Sequence, residues 1–495
     1  MKENINSITN CQGSKIKNKL NNNLFVLKFI KSELALEYIE DYNWITFEYI
    51  INKLIKGSDK FRKLLENGGI IEKINVKDIN EGKGFTSKLL LIEIKIKYNN
   101  NNRFIQKLTK SSKRFSLILK IFAEERIELL MEHFVGKEKF QELLINATKN
   151  LEINQENINN NEENIKNNKK IIMKEMMKCF KQMHQNECLF YEMFKQIKNP
   201  PLPLPQIYFT KLCLEDENEL KRIKGPQGLI LMENLTEFTY VGRLSIGLNE
   251  IQINEIIKHL AHLHAFLLLP NIKKKWEKEF TTIDKMWDQN MSKEFNLALF
   301  EQIKQLDDVI LEPFKKISSL LYNAEFLNWM KNKCINIYGI PEILNHGDLW
   351  NNNLLWYKND PNKIAAIIDW QLATIGNPMV DVTRLMLATV DPELRHKMEM
   401  EGNFLKIYLN ELNNKLIEQK MEKVKYGFEE LQHVYNLSLI IQAAGRVMEI
   451  PFFERGTSKN DPEFKEKIQC IKMRAKFSIN DAVRILEKEA PEWLK

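Results

Sequence analysis

Cysteine is scarce in this chain: six thiols in 495 residues, Cys11, Cys179, Cys188, Cys213, Cys334 and Cys470. None forms a C-x-x-C pair or a zinc spacing, which argues against a disulfide framework and for a reducing compartment. Long apolar runs are lacking too. Stretches such as residues 265–269 fall far short of the ~20 residues that a membrane-spanning helix needs, so no membrane span is expected. The polar, Asn/Lys-rich N-terminus shows no apolar core followed by a small-residue cleavage site, so no signal peptide is expected and the chain reads as cytoplasmic. An excess of one charge is also missing. Against 66 acidic residues stand 73 Lys and Arg, a formal net charge of +7. That bias suits an anionic ligand such as a nucleotide. It falls short of the basic footprint of a nucleic-acid binder, and no nucleic-acid partner is expected.

What is present is ample apolar material: 44% hydrophobic residues in a chain too long for one core. Residues 1–40 read as an N-terminal extension. Residues 41–234 read as a β-rich lobe with one long helix, and residues 235–495 as a mainly helical lobe. In the first, Ile92, Ile94 and Ile96 alternate with Glu93, Lys95 and Lys97, the signature of a half-buried strand. Residues 116–122 and 228–232 form further short apolar runs. Residues 148–170, rich in Asn, Glu and Lys, cannot bury apolar surface and read as a flexible insertion. Helical spacing of Ile172, Met176, Phe180 and Met183 predicts a helix over 171–197, ended by Pro200, Pro201, Pro203 and Pro205. Later helices are expected over 250–269, 283–303, 306–335, 402–424, 427–448 and 463–487, with short strands near 343–345 and 364–369. Two lobes with a cleft follow from that order.

The chemistry-bearing segment is 344–384. His346-Gly347-Asp348 is followed by Asn353, a short strand, Ile368-Asp369-Trp370, then Gly376-Asn377-Pro378 and Asp381. Phosphoryl transfer accounts for these types at this spacing, because it needs positioning and charge neutralisation more than covalent help. Asp348 suits a base that orients an acceptor hydroxyl and takes its proton. Mg2+ prefers hard oxygens, which Asn353 and Asp369 supply. His346 reads as a brace of the loop, and Asp381 as a second brace.

Upstream, Gly82 and Gly84 stand one residue apart between strand-like runs, where backbone amides can approach phosphates. An ordinary hairpin turn would look the same. Lys120 lies in a buried apolar run and needs an anion beside it; phosphates and a helix carboxylate are natural partners. Glu187 is the candidate carboxylate, with Glu192 the alternative. The strand near 228–232 runs into a connector whose backbone at Glu233 and Leu235 could pair with an adenine edge.

These residues resemble a known family. H-G-D-L-W-x-x-N, I-I-D-W-Q and G-x-G-F-x-S are similar to the ecdysteroid-kinase-like, or CHK kinase-like, family of invertebrates, especially its nematode branch. That family is related to aminoglycoside phosphotransferases and choline kinases. The resemblance runs from about residue 74 to 450. It implies an α+β, protein-kinase-like bilobal fold and an ATP-dependent, Mg2+-requiring small-molecule kinase. In it Asp348 is the base, Asn353 and Asp369 hold the metal, Lys120 pairs with Glu187, and Glu233 to Leu235 form the hinge over the nucleotide. A protein substrate is disfavoured. Trp350 stands where protein kinases usually carry a lysine, and only eleven residues separate Asp369 from Asp381. The acceptor is expected to be a small hydroxyl compound, steroid-like, choline-like or xenobiotic; Trp350, Trp356 and Trp370 could wall it, although each reads more readily as a core tryptophan. A non-catalytic, pseudokinase-like nucleotide-binding module is the alternative, and it predicts loss of one of Asp348, Asn353, Asp369 or Lys120; all four are present.

Overall fold

In a computed structural model the described residues are 26–39, 41–79, 86–98, 112–142, 162–213, 228–282, 298–456 and 462–494. By contact the chain divides into two compact units. One comprises Met1–Glu124 with Pro205–Asn234, the other Glu125–Leu204 with Leu235–Lys495.

The first unit opens with a short ribbon, β1 (Tyr38–Ile39) and β2 (Tyr42–Thr46), and two helices, Phe47–Gly57 and Asp59–Glu66. Thr46 and Ser58 start these helices by accepting from the backbone N–H of Tyr49 and Phe61. An antiparallel sheet follows, built from β3 (Gly69–Asp78), β4 (Ser87–Tyr98), β5 (Ser112–Phe122), β6 (Ile207–Lys211) and β7 (Leu229–Glu233), in the order β3-β4-β5-β7-β6. The alternation expected from the sequence is present. Ile92, Ile94 and Ile96 are buried while Glu93, Lys95 and Lys97 are exposed. On β5, Leu117, Leu119 and Ile121 join the core beneath the two helices, whereas Lys120 does not; pleating turns it to the other face, where it is nevertheless buried.

The second unit is mainly helical. Its strands make two small antiparallel sheets. One is β8 (Thr239–Val241), β10 (Leu354–Tyr357) and β11 (Ile364–Ile367), with β10 central; the other pairs β9 (Ile343–Asn345) with β12 (Thr374–Gly376). The helix Met379–Thr389 packs against Phe428–Gly456, which packs against Phe464–Glu489. The described residues thus show the expected α+β content: a five-stranded antiparallel sheet in one unit, and short strands with helices in the other.

Several boundaries differ from expectation. The long helix spans Glu162–Phe194, so residues 162–170 of the anticipated insertion are helical; the rest of that insertion lies outside the described residues. By contact this helix groups with the helical unit. The helix expected over 306–335 is broken. Asp308–Ser318 ends in a tight turn, and the Asn323 side chain starts Ala324–Asn332 by accepting from the amides of Glu325 and Phe326. The helix expected to stop at 448 continues through Pro451 to Gly456. Asn403–Glu418 stops short of 424, where Lys420 takes a left-handed conformation. The segment 283–297 lies outside the described residues. Among the described residues no helix is long and apolar enough to cross a membrane.

Candidate active site

The helical unit folds 343–384 into one compact turn system. Pairing of β9 with β12 sets Thr374 opposite Asn345, so the loops after β9 and before β12 lie side by side. Gly347 makes this possible. Its φ of +79 lies in the left-handed region, and a Cβ added there would sit 2.2 Å from the carbonyl oxygen of Leu372. From the following helix, the fully buried Asp381 reaches back and accepts from the amides of His346 (2.6 Å) and Gly347 (2.9 Å). Burial pushes Asp381 up from its ordinary value, against these amides and the nearby Arg384. Both its oxygens are thus engaged on the loop. His346 completes the brace: its Nδ1 accepts from the amide of Asp348 (3.2 Å), and its Nε2 donates to the carbonyl of Ile368 (3.0 Å). One neutral tautomer satisfies both bonds.

Asp348 is half-buried at the turn so formed. Its Oδ1 accepts from Arg384 Nη2 at 2.5 Å, and its Oδ2 lies 3.3 Å from Asn353 Nδ2. The same Asn353 nitrogen donates to the Asp348 carbonyl at 2.8 Å. With its nitrogen turned to Asp348, Asn353 keeps Oδ1 for a cation or another donor. Its own carbonyl accepts from the amide of Ile368 (3.0 Å), which ties Asn353 to the residue preceding Asp369. Asp369 is half-buried and holds φ 66 and ψ 62, a conformation uncommon for a residue with a Cβ. The Asn353 amide oxygen and the Asp369 carboxylate, on residues linked through the Ile368 amide, are donor types that suit a hard cation such as Mg2+.

The long helix closes the back of the loop. Asn186 donates to the carbonyl of Ala373 (3.1 Å), and Phe190 stacks on Trp370 with ring centroids 3.5 Å apart. Burial, reinforced by the carboxylates of Glu187 and Asp369, holds the Tyr191 phenol well above its ordinary value. Glu187 is itself 1% exposed. Glu192, the alternative, lies on the open face and pairs with Lys195.

In the other unit Lys120 is buried on β5, opposite Leu89 and Ile230. Glu233 ends β7, and its Oε2 accepts from the Gln206 amide at 3.3 Å. Leu235 groups with the helical unit. Its carbonyl accepts from the Phe238 amide and from the amide and hydroxyl of Thr239. Gly82 and Gly84 lie outside the described residues.

Three groups of the site carry no motif in the sequence. Arg384 donates Nη2 to Asp348 and Nη1 to Glu449 (2.7 Å), and Arg446 also donates to Glu449. Burial works against the Arg384 charge, but Glu449 and Asp348 outweigh it and hold the guanidinium above its ordinary value. Burial pushes Glu449 up to about 7, against the pull of Arg384. Arg384 follows Asp381 by three residues, so one helical face carries both; that spacing was the available signal. The three tryptophans divide. Trp356 and Trp370 are fully buried core residues, and Trp350 alone is half-exposed, edge-on to Phe453. Elsewhere, His396, Glu399 and Asp481 stand close enough to share a metal ion. However, Arg395 already bridges the two carboxylates and Arg484 adds to Asp481, which reads as an ion-pair network.

The site thus belongs to an α+β chain in which the His-Gly-Asp loop and Asn353 share one turn system. Residues 143–488 match the family DUF1679, described as "Uncharacterized oxidoreductase dhs-27", and the chain belongs to that family. A curated relative from Caenorhabditis elegans, named "Uncharacterized oxidoreductase dhs-27", is 24% identical over 241 residues, 46% of this chain and 27% of that protein. The chain thus spans about a quarter of the length of the curated relative it matches. Among solved structures, a putative aminoglycoside phosphotransferase from Ralstonia eutropha aligns over 86% of this chain and 98% of its own, at 10% identity and a TM-score of 0.36. An ethanolamine kinase from Plasmodium vivax aligns over 92% and 94%, at 15% identity and a TM-score of 0.34.

Proposed function

We propose that the chain is an ATP-dependent phosphotransferase that moves the γ-phosphate to a hydroxyl of a small molecule, and that it belongs with the ecdysteroid-kinase-like enzymes. One observation carries the reading: Arg384 and Asn353 fix Asp348 from two sides, while Asn353 is tied through Ile368 to Asp369. A fixed carboxylate beside two metal-type oxygens is what transfer from a magnesium nucleotide to an alcohol requires.

In this reading Asp348 Oδ2 accepts the proton of the acceptor hydroxyl as its oxygen attacks the γ-phosphorus, the bond from that phosphorus to the bridging β-phosphate oxygen breaks, and ADP leaves. Arg384 keeps the carboxylate aligned. Asn353 Oδ1 and the Asp369 carboxylate would hold Mg2+, which when bound neutralises the phosphate oxygens. Lys120, paired with Glu187, would orient the α and β phosphates; Gly82 and Gly84 would cover them, and Glu233 and Leu235 would present backbone groups to adenine. The oxidoreductase name is said of a much longer relative. No G-x-G-x-x-G occurs in this sequence to support dinucleotide binding.

A second reading, the non-catalytic nucleotide-binding module, draws on one contact: Arg384 already occupies Asp348 Oδ1. Transfer of labelled γ-phosphate into a small-metabolite extract decides between them. Labelled small molecules formed by the wild type and absent with Asp348→Asn support the kinase. Magnesium-dependent ATP binding with no transfer in any extract supports the binding module. Asp369→Ala is expected to weaken Mg-ATP binding itself, read as a lost thermal shift.

A further inference from the structure

We infer that a cavity between the helices Asp308–Ser318, Pro392–Glu401 and Phe464–Glu489 binds a small organic anion with an apolar body, its charge received by Lys476 and Arg484. The inference is independent of the phosphotransfer reading, and none of the residues lining this cavity belongs to the turn system around Asp348.

The three helices lie within the helical unit, and the first two each pack on the third. On Phe464–Glu489, Lys476, Phe477, Asn480 and Arg484 stand at helical spacing, so one face carries all four. Val309 and Pro313, one turn apart on Asp308–Ser318, and His396 on Pro392–Glu401 complete the lining. Pro313 helps to shape it. It has no N–H to give the Val309 carbonyl one turn back, and the Asn480 side chain reaches that carbonyl instead, at 3.4 Å. The volume, about 500 Å3, is that of a site for a small organic molecule. Val309 and Phe477 are 51% and 37% exposed, and Phe477 stands edge-on to the His396 ring. Apolar side chains thus border a space wide enough for a ring system.

The charge lining the cavity has one sign. Lys476 and Arg484 line it, and no carboxylate does. Asp481 is buried, and both its oxygens are taken: Oδ1 by Arg484, Oδ2 by Arg395 and by His396 (2.8 Å). Glu399 is held by Arg395 and by the Tyr435 hydroxyl. Asp308, Glu312, Glu393 and Glu487, on the same helices, are exposed and do not line the cavity. Burial and the neighbouring Arg395 hold His396 below its ordinary value, so near neutral pH it adds no charge. Among the described residues Arg484 pairs with Asp481 alone, and the Lys476 ammonium has no ion-pair partner. An incoming anion therefore meets an unshared ammonium and the remaining N–H groups of Arg484, with apolar surface beside them. An incoming cation meets two like charges.

The test uses the full chain and two fluorescent probes with the same rings: anilinonaphthalene sulfonate, an anion, and phenylnaphthylamine, which lacks the sulfonate. The wild type is expected to bind the sulfonate more tightly. Lys476→Met should weaken that binding about tenfold and leave the neutral probe unaffected. Lys488→Met, at an exposed position off the cavity, should change neither. Saturating Mg-ATP should leave the sulfonate bound. Equal affinity of the wild type for both probes overturns the inference, as does no binding of the sulfonate. So do sulfonate affinity that survives Lys476→Met, an equal loss with Lys488→Met, and displacement by Mg-ATP, which would seat the probe elsewhere. Should Lys476→Met fail to fold, Val309→Asp takes its place: it brings an acid into the lining and is expected to weaken the sulfonate at least as much, and unchanged affinity there overturns the inference too.

Discussion

Arg384 holds Asp348 and Glu449 at once, with Nη2 2.5 Å from Asp348 Oδ1 and Nη1 2.7 Å from Glu449 Oε1. Without the guanidinium, two carboxylates would face each other and Asp348 would lose one of its two fixed bonds. Arg384→Met is therefore expected to lower kcat by about a hundredfold while Mg-ATP affinity stays near wild type. Unchanged turnover would show that Asn353 alone suffices to align Asp348.

Gly347→Ala tests the turn that brings the loop to its aspartate. The left-handed φ alone costs about 1–3 kcal/mol, and the new methyl would overlap the Leu372 carbonyl. Lower melting temperature and lost transfer are expected together. A variant with wild-type stability would mean that the loop relaxes by another route.

Glu449 gives stability a pH slope. Its folded value, about 7, lies above the ordinary 4.5. Between these the folded protein binds a proton that the unfolded chain has released, so this group's contribution falls as pH rises through that window. Glu449→Gln lacks the term. The stability difference between wild type and variant should shift in favour of the wild type toward acid, in urea titrations across the range. A difference that stays flat with pH would remove Glu449 as its source.

The tryptophans should separate by role. Trp370→Ala empties a fully buried site stacked on Phe190 and should cost about 3–5 kcal/mol of stability. Trp350→Ala should cost far less stability and raise the acceptor KM. A Trp350 variant with unchanged KM would detach that residue from the acceptor.

The turn around Asp348 was legible because its parts are local. Asp348, Asn353 and Asp369 lie within one stretch of chain, and the fold needs only two short strands to join them. The strand face of Ile92, Ile94 and Ile96 was legible for the same reason, a period of two over adjacent residues. Arg384, Arg446 and Glu449 were not legible. Their bonds arise from the packing of Met379–Thr389 on Phe428–Gly456, and helix packing sets no short pattern. The helix Met379–Thr389 itself went unread, although Asn377, whose Oδ1 accepts from the Met379 amide, and Pro378 mark its start. Trp356 and Trp370 take the core reading that the sequence favoured for them. Proximity in sequence to Asp348 suggested an acceptor wall as the alternative, but alternation along β10 turns Trp356 inward and the stack on Phe190 buries Trp370.

The long helix also bears on how such a protein could be regulated. Phe190 stacked on Trp370 and Asn186 bonded to Ala373 clamp Glu162–Phe194 to the turn just beyond Asp369. A swing of that helix would have to break a ring stack and a buried hydrogen bond, or drag the turn with it. Helix and strand-end aspartate thus behave as one mechanical piece, and a signal that moved either would have to move both.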